Sequence, residues 1–222
     1  MCGRMALTLP PAAMAQVFDA EPANTLPEGP DYNICPTNDV VVITGGADRP
    51  RRMEAMRWGL IPPWYKKPNG GPLLINARAE TVLEKPAFRS AVHDRRVLVV
   101  ANGFYEWTKD TEGGRDPWYI TRRDGAPLAF AGLWQGWRDP ESGEDLRTVA
   151  ALTIAANAPM QAIHHRMPVL IEAADYGLWL GENGKGAAPL MRAAEDDTLQ
   201  WHRVGRAVNS NRAAGPELIE PF

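Results

Sequence analysis

Short apolar runs rich in β-branched residues, each closed by Gly, Pro, Asp or Asn, recur along this chain without long helical periods between them. They fall at residues 40–44, 53–58, 97–101, 118–121, 128–133 and 149–154, and runs of this length and composition read as strands. A parallel α/β sheet needs a helix between successive strands. Here the helical patterns are few and short: residues 11–18, residues 79–92 interrupted near Pro86, and residues 173–180. The pattern predicts an α+β fold with a predominantly antiparallel, barrel-like β core and short peripheral helices. Twenty prolines and twenty glycines, spread along the chain, predict many tight connections. Residues 109–117 and 139–145 read as hairpin turns, and residues 20–37 and 62–72 as longer loops. At 222 residues and 45% hydrophobic, the chain can bury its core as one domain spanning 1–222.

Several function classes are excluded at this level. No segment approaches the roughly 18 apolar residues of a membrane span, and the N-terminus has no apolar signal region, so a cytoplasmic, monomeric protein with no membrane partner is expected. Cys2 and Cys35 match no zinc spacing, and His93, His164, His165 and His202 form no His-Glu-x-x-His pattern. Reduced thiols, no metal and no cofactor are therefore expected. With 24 Lys plus Arg against 27 Asp plus Glu the net charge is -3. That balance argues against coating nucleic acid by charge alone but allows a local basic groove.

The N-terminal Met1-Cys2-Gly3-Arg4 directs attention to one chemistry. Methionine removal requires a small second residue, and removing Met1 would leave Cys2 with an α-amine beside its thiol. Such a 1,2-aminothiol captures an aldehyde as an imine and then closes a five-membered thiazolidine, which a lone Lys or a lone Cys cannot do. Four further features bear on this. Asn76 stands where an apolar run meets a helix-like segment, either as an N-cap or as an amide holding a substrate, with Arg78 two residues on as a phosphate contact. Glu106 lies on a strand between Tyr105 and Trp107, either facing solvent or desolvated enough to act as a general base. One of His164 and His165 is a candidate proton carrier, and position alone does not choose between them. Trp64, followed by Lys66 and Lys67, suits base stacking on a charged track, whereas Trp58 reads equally well as core. Residues 205–212 read as a polar surface loop.

These features occur together in an order that resembles the SRAP (SOS response-associated peptidase) family. The resemblance rests on Met-Cys-Gly-Arg and on residues 56–64, 75–81, 103–107 and 163–168, with weaker likeness at residues 32–37 and at Val208-Asn209. It implies a sensor that binds abasic sites in single-stranded DNA and forms a covalent thiazolidine crosslink. It further implies catalytic roles for Cys2, Asn76, Glu106 and His164, the last as first histidine of a His-x-Arg-Met-Pro pattern. Arg4, Trp64, Arg78 and Trp107 are implied to line the DNA path. Cys35 departs from the family pattern and is expected to pack as a small buried hydrophobe.

The expected mechanism opens the abasic sugar with His164, activates the Cys2 amine with Glu106 and closes the ring with the thiol. β-Elimination from the same imine would make the protein an abasic-site lyase. Two alternatives remain at this stage: a cysteine peptidase that removes its own Met1 or acts in trans, and a non-covalent single-stranded nucleic-acid-binding module.

Overall fold

The computed structural model describes residues 2–110 and 112–222. The first seven strands are β1 (Met5–Leu7), β2 (Glu21–Pro22), β3 (Asp31–Ile34), β4 (Asp39–Gly46), β5 (Arg49–Trp58), β6 (Asn76–Arg78) and β7 (Arg96–Ala101). The remaining six are β8 (Gly103–Lys109), β9 (Arg115–Arg122), β10 (Leu128–Arg138), β11 (Asp145–Ala155), β12 (Arg166–Pro168) and β13 (Leu199–Arg203). Three α-helices are described: α1 (Pro11–Phe18), α2 (Ala91–Asp94) and α3 (Tyr176–Leu180).

Five strands close into a barrel. β11, β10, β7, β4 and β5 pair antiparallel in that order, and β5 returns to β11 through a parallel contact, Thr148 opposite Arg57 and Val149 opposite Trp58. An odd ring cannot alternate strand direction all the way round, so one parallel pair is a geometric necessity. Closure removes the open sheet edges that an antiparallel sheet otherwise exposes. Val42, Ile43, Leu98, Val99, Phe130, Ala150 and Leu152 lie among the buried residues of this core, with Trp58 and Trp179 as its largest side chains.

β11 runs for 11 residues and carries two sets of neighbours. Its first half lies between β10 and β5; beyond Ala151 it lies between β6, in parallel register, and β12, antiparallel. The second sheet, in order β13-β9-β8-β1-β3, begins where the chain leaves the barrel after β7. Asn102 fixes that exit, its Oδ1 accepting the backbone N–H of Thr8 at 2.7 Å and of Leu9 at 2.9 Å. Gly103 follows because a Cβ there would sit 2.4 Å from the Tyr119 ring, a distance no side chain tolerates.

The six apolar runs all lie in strands: β4, β5, β7, β9, β10 and β11. Helix α1 spans the expected residues, its Pro11 at the first helical position, where the missing N–H costs nothing. The other two helical expectations were too long. Residues 79–92 hold a 3-10 turn at Ala79–Thr81 and the single turn of α2, with Pro86 between them. Residues 173–180 begin as a 3-10 turn, continue as α3 and stop at Gly181 with φ 85. Both hairpins form, β8–β9 and β10–β11. Among the described residues no helix is long and apolar enough to cross a membrane.

Arg4 corrects an expectation. Its side chain is turned inward, with the residue only 8% exposed, instead of lining a groove. Its Nη1 donates to Asn33 Oδ1 at 2.5 Å and to the Val208 carbonyl at 2.9 Å, and its Nη2 donates to Asn211 Oδ1. The guanidinium thus ties β1 to β3 and to the C-terminal segment, satisfying acceptors that are otherwise stranded away from water. Residues 205–212, expected as a loop, contain the 3-10 turn Arg206–Asn209 that supplies part of this clamp. Removing one member of a buried network leaves its acceptors unpaired. Arg4→Ala is therefore expected to lower unfolding free energy by about 2–4 kcal/mol, read as a lower urea midpoint at unchanged slope. Arg4→Lys should recover little, because one ammonium cannot reproduce the fork.

Candidate active site

Cys2 lies 1% exposed beneath β6. Its Sγ points toward the Arg4 carbonyl at 3.9 Å, and its own carbonyl accepts Asn76 Nδ2 at 2.8 Å. The three-residue strand β6 positions that amide. Alternation buries Ala77 in the core and turns Asn76 and Arg78 to the other face, with Arg78 exposed. Asn76 is therefore a strand residue and not an N-cap; the 3-10 turn after it has Arg78 at its cap position and no side-chain cap. Asn76 Oδ1 is buried with no hydrogen-bond partner among the described residues. An acceptor held dry in this way is poised for a donor brought by a ligand. Met1, whose removal the sequence chemistry requires, lies outside the described residues.

Glu106 is 3% exposed on β8. The flanking aromatics are not what covers it. Strand alternation sends Tyr105 and Trp107 into a second cluster with Ala6, Tyr119, Val208 and Leu218, while Glu106 shares the opposite face with Phe104, which packs in the main core. Burial pushes the Glu106 carboxyl above its ordinary value. Burial also pushes the Cys2 thiol well up, and the nearby Glu106 carboxylate adds to the effect.

His164 completes the group, its Nδ1 lying 3.9 Å from Glu106 Oε1. The same nitrogen accepts the Arg166 backbone N–H at 3.0 Å. It also lies 3.1 Å from the Arg166 carbonyl, so Nδ1 can accept from the one Arg166 backbone group or donate to the other according to its protonation. Burial lowers the His164 pKa. His165 is exposed, its ring stacked on His164 with centroids 4.3 Å apart and an angle of 31° between the planes. The structure thus brings Cys2, Asn76 and Glu106 together with His164, which faces Glu106 directly.

Local sequence did not mark the brace behind them. Arg166 donates to both oxygens of Glu80, at 2.5 and 2.9 Å, and to the Thr153 carbonyl at 2.6 Å. Those bonds hold the Glu80 carboxyl down to about 2. Glu80 and Arg166 are 86 positions apart, and only the placement of β6 and β12 on opposite edges of β11 makes them neighbours.

A groove of about 500 Å³ opens beside Asn76, lined by Trp64, Tyr65, Leu74, Arg78, Lys85 and Phe88 among others. Trp64 is 57% exposed. Apolar walls with two cations suit a flat ring joined to an anion. Of the four residues expected to line a DNA path, Trp64 and Arg78 face this groove. Trp107 lies elsewhere, half-buried, its Nε1 donating to Asn209 Oδ1 at 2.6 Å and Arg4 lying 5.7 Å from its ring centre. Cys35 also departs from expectation: it is half-exposed, and its thiol donates to the Asn33 carbonyl at 3.2 Å on the Arg4 clamp.

The chain is similar to known proteins over nearly its whole length. A solved protein from Bordetella bronchiseptica superposes with a TM-score of 0.75 at 26% identity, over 92% of this chain and 100% of its own. The chain is 36% identical to the abasic site processing protein YoqW of Bacillus subtilis, with 99% of each covered. It is 28% identical to the abasic site processing protein YedK of Escherichia coli, over the whole of both. It is 30% identical to the abasic site processing protein HMCES of Gallus gallus, over 100% of this chain and 78% of that one. Residues 1–211 match the family described as SOS response associated peptidase, SRAP, and the chain belongs to that family.

Proposed function

We propose that this protein processes abasic sites in DNA by covalent capture, with Cys2 as the N-terminal residue of the mature chain and single-stranded DNA as the substrate. The observation that carries the proposal is the contact of Asn76 with the buried Cys2 backbone, beside the buried Glu106 and its neighbour His164. The names of the relatives, abasic site processing proteins, supply the substrate class.

An abasic sugar is mostly a closed hemiacetal. His164 moves a proton from the C1′ hydroxyl to the ring oxygen, exposing the aldehyde, and Glu106 takes a proton from the Cys2 ammonium. The amine adds to C1′, Glu106 returns its proton to the carbinol hydroxyl, water leaves, and an iminium forms. The Cys2 sulfur then adds to C1′ as its proton passes to Glu106, closing the thiazolidine. Asn76 Oδ1, dry and unpartnered, accepts a hydrogen bond from the adduct. Loss of the 3′ phosphate from the iminium before ring closure gives the lyase branch. The groove of Trp64 and Arg78 takes a neighbouring base and phosphate, which a net charge of -3 does not prevent.

The buried thiol favours this reading over a cysteine peptidase. A peptidase nucleophile needs a depressed thiol pKa, and this one is raised. A neutral thiol is harmless to the imine route, since the amine attacks first. An incidental Cys2 on a non-covalent binding module leaves the buried Glu106 and the dry Asn76 amide without a use.

Incubation with a single-stranded oligonucleotide carrying one abasic site, followed by a denaturing gel, tests the proposal; processed protein is expected to give a heat-stable shifted band. Cys2→Ser is expected to form a borohydride-trappable imine but no heat-stable band, and equal adduct from both proteins would remove the thiol from the mechanism. Protein with Met1 retained, verified by intact mass, is expected to bind the oligonucleotide normally and form no adduct, because its Cys2 nitrogen is a planar amide. Glu106→Gln is expected to slow crosslinking by about 10²–10⁴. The stability effect has the opposite sign. With a raised folded-state pKa, Glu106 stabilises the fold below the ordinary carboxylate value, and that contribution is lost as pH rises through the raised value. At neutral pH Glu106→Gln should therefore keep or raise the melting temperature, and a clear drop would show the carboxylate to be a structural partner.

A further inference from the structure

His165 has no place in the mechanism above, yet its geometry couples it to His164. The two rings stack with centroids 4.3 Å apart, a separation at which two unit positive charges repel strongly even when water screens them. The pair therefore titrates as a unit, and the second proton enters against the charge of the first. The two rings differ in hydration. His165 is exposed, whereas the His164 side chain is 18% exposed, so His164 gives up more hydration than His165 when it becomes charged.

We propose that His165 is a positioning residue for His164: on the solvent side of the stack it takes the pair's first proton, and its charge holds His164 in the neutral form that the site uses.

The other groups around His164 are few. On β8, Glu106 Oε1 lies 3.9 Å from Nδ1 and favours the cation. At the start of β12, the Arg166 N–H donates to Nδ1 and opposes protonation there, while the Arg166 carbonyl at 3.1 Å favours it. The Arg166 guanidinium, held by both oxygens of Glu80, also opposes a charged His164. The α-amine that Met1 removal leaves on Cys2 adds a further cation opposing a charged His164. Among the described residues His165 is the exposed imidazole stacked on the ring, and it can exchange its proton freely with water. Its consequence for rate rests on the proposed function, but its effect on His164 does not.

The test is an NMR pH titration of the imidazole resonances of the processed protein, without DNA, in wild type and in His165→Asn, His165→Phe and His165→Lys. Wild type should show His165 charging first and His164 charging at lower pH. His165→Asn should raise the His164 midpoint by at least about 0.7 pH unit, the repulsion of two unit charges at 4.3 Å in bulk water. His165→Phe keeps a ring on His164 without charge and should raise it as Asn does. His165→Lys restores a cation and should bring the midpoint back to the wild-type value or below. The acid limb of the crosslinking rate against pH should move in the same order.

A His164 midpoint that is unchanged in the Asn and Phe variants would overturn the inference. Equal shifts in Asn and Lys would also overturn it, since they would show loss of packing and not of charge. Midpoints that move as expected in proteins that never crosslink abasic DNA would uphold the His165 role while removing the proposed chemistry.

Discussion

The parallel contact between β5 and β11 is the constraint on which the rest depends. Four antiparallel pairings around a five-stranded ring bring the last strand back pointing the same way as the first, so closure must be parallel. That pairing spans only Thr148 and Val149 opposite Arg57 and Trp58. Because β5 ends there, the edge of β11 beyond Val149 is left for another strand. β6 takes it, in the same parallel sense, with Asn76 opposite Ala151. On the other edge β10 pairs only as far as Ala151, and β12 takes the remainder with Arg166 opposite Ala155. The residues flanking the active cleft are thus carried by two short strands that fill edges left vacant by barrel closure.

Short strands hold position poorly by themselves, and side chains brace them. Arg166 on β12 grips Glu80, immediately after β6, so a bidentate ion pair spans β11 and fixes the two edges relative to each other. Trp58 contributes from below, its Nε1 donating to the Ile75 carbonyl at 3.0 Å. The Arg4 clamp does the same for the N-terminal segment, fixing the chain two residues after Cys2 to β3 and the C-terminal turn. A reaction that needs an amine, a carboxylate and an imidazole within contact distance tolerates little slack, which explains why so many arginine donors face protein acceptors.

Most of the barrel was legible because burial on a closed sheet leaves long β-branched runs, and each of those runs lies in a strand. The elements carrying the chemistry were not legible in that way. β6 and β12 have three residues each, too few to show a period, and their pairing is set by where β5 and β10 end. Asn76 looked like a cap because the turn after it was visible and the strand holding it was not. Glu106 was identified for an incomplete reason: aromatic neighbours in sequence suggested desolvation, whereas alternation sends them to the far face and the barrel side does the burying. The family resemblance implies Arg4 on the DNA path, and nothing local reveals the acceptors at Asn33, Val208 and Asn211 that turn it inward. The motif order pointed to Cys2, Asn76, Glu106 and His164 where local pattern was silent, and the fold brings these four residues together.

Burial gives the site its order of events. In water an aminothiol offers two nucleophiles at comparable pH, and thiol addition to an aldehyde gives a readily reversed hemithioacetal. Here the Cys2 thiol is pushed up by burial and by Glu106, so the sulfur stays neutral until something draws its proton away. In the proposed reaction the amine acts first, and the iminium it forms is a cation beside that same Glu106. The charge that raised the thiol pKa is then neutralised by the intermediate, and the restraint on the sulfur is lifted when the electrophile it needs has appeared. A carboxylate in a dry site is costly to the fold, and this sequence of charges gives a physical reason for keeping one there.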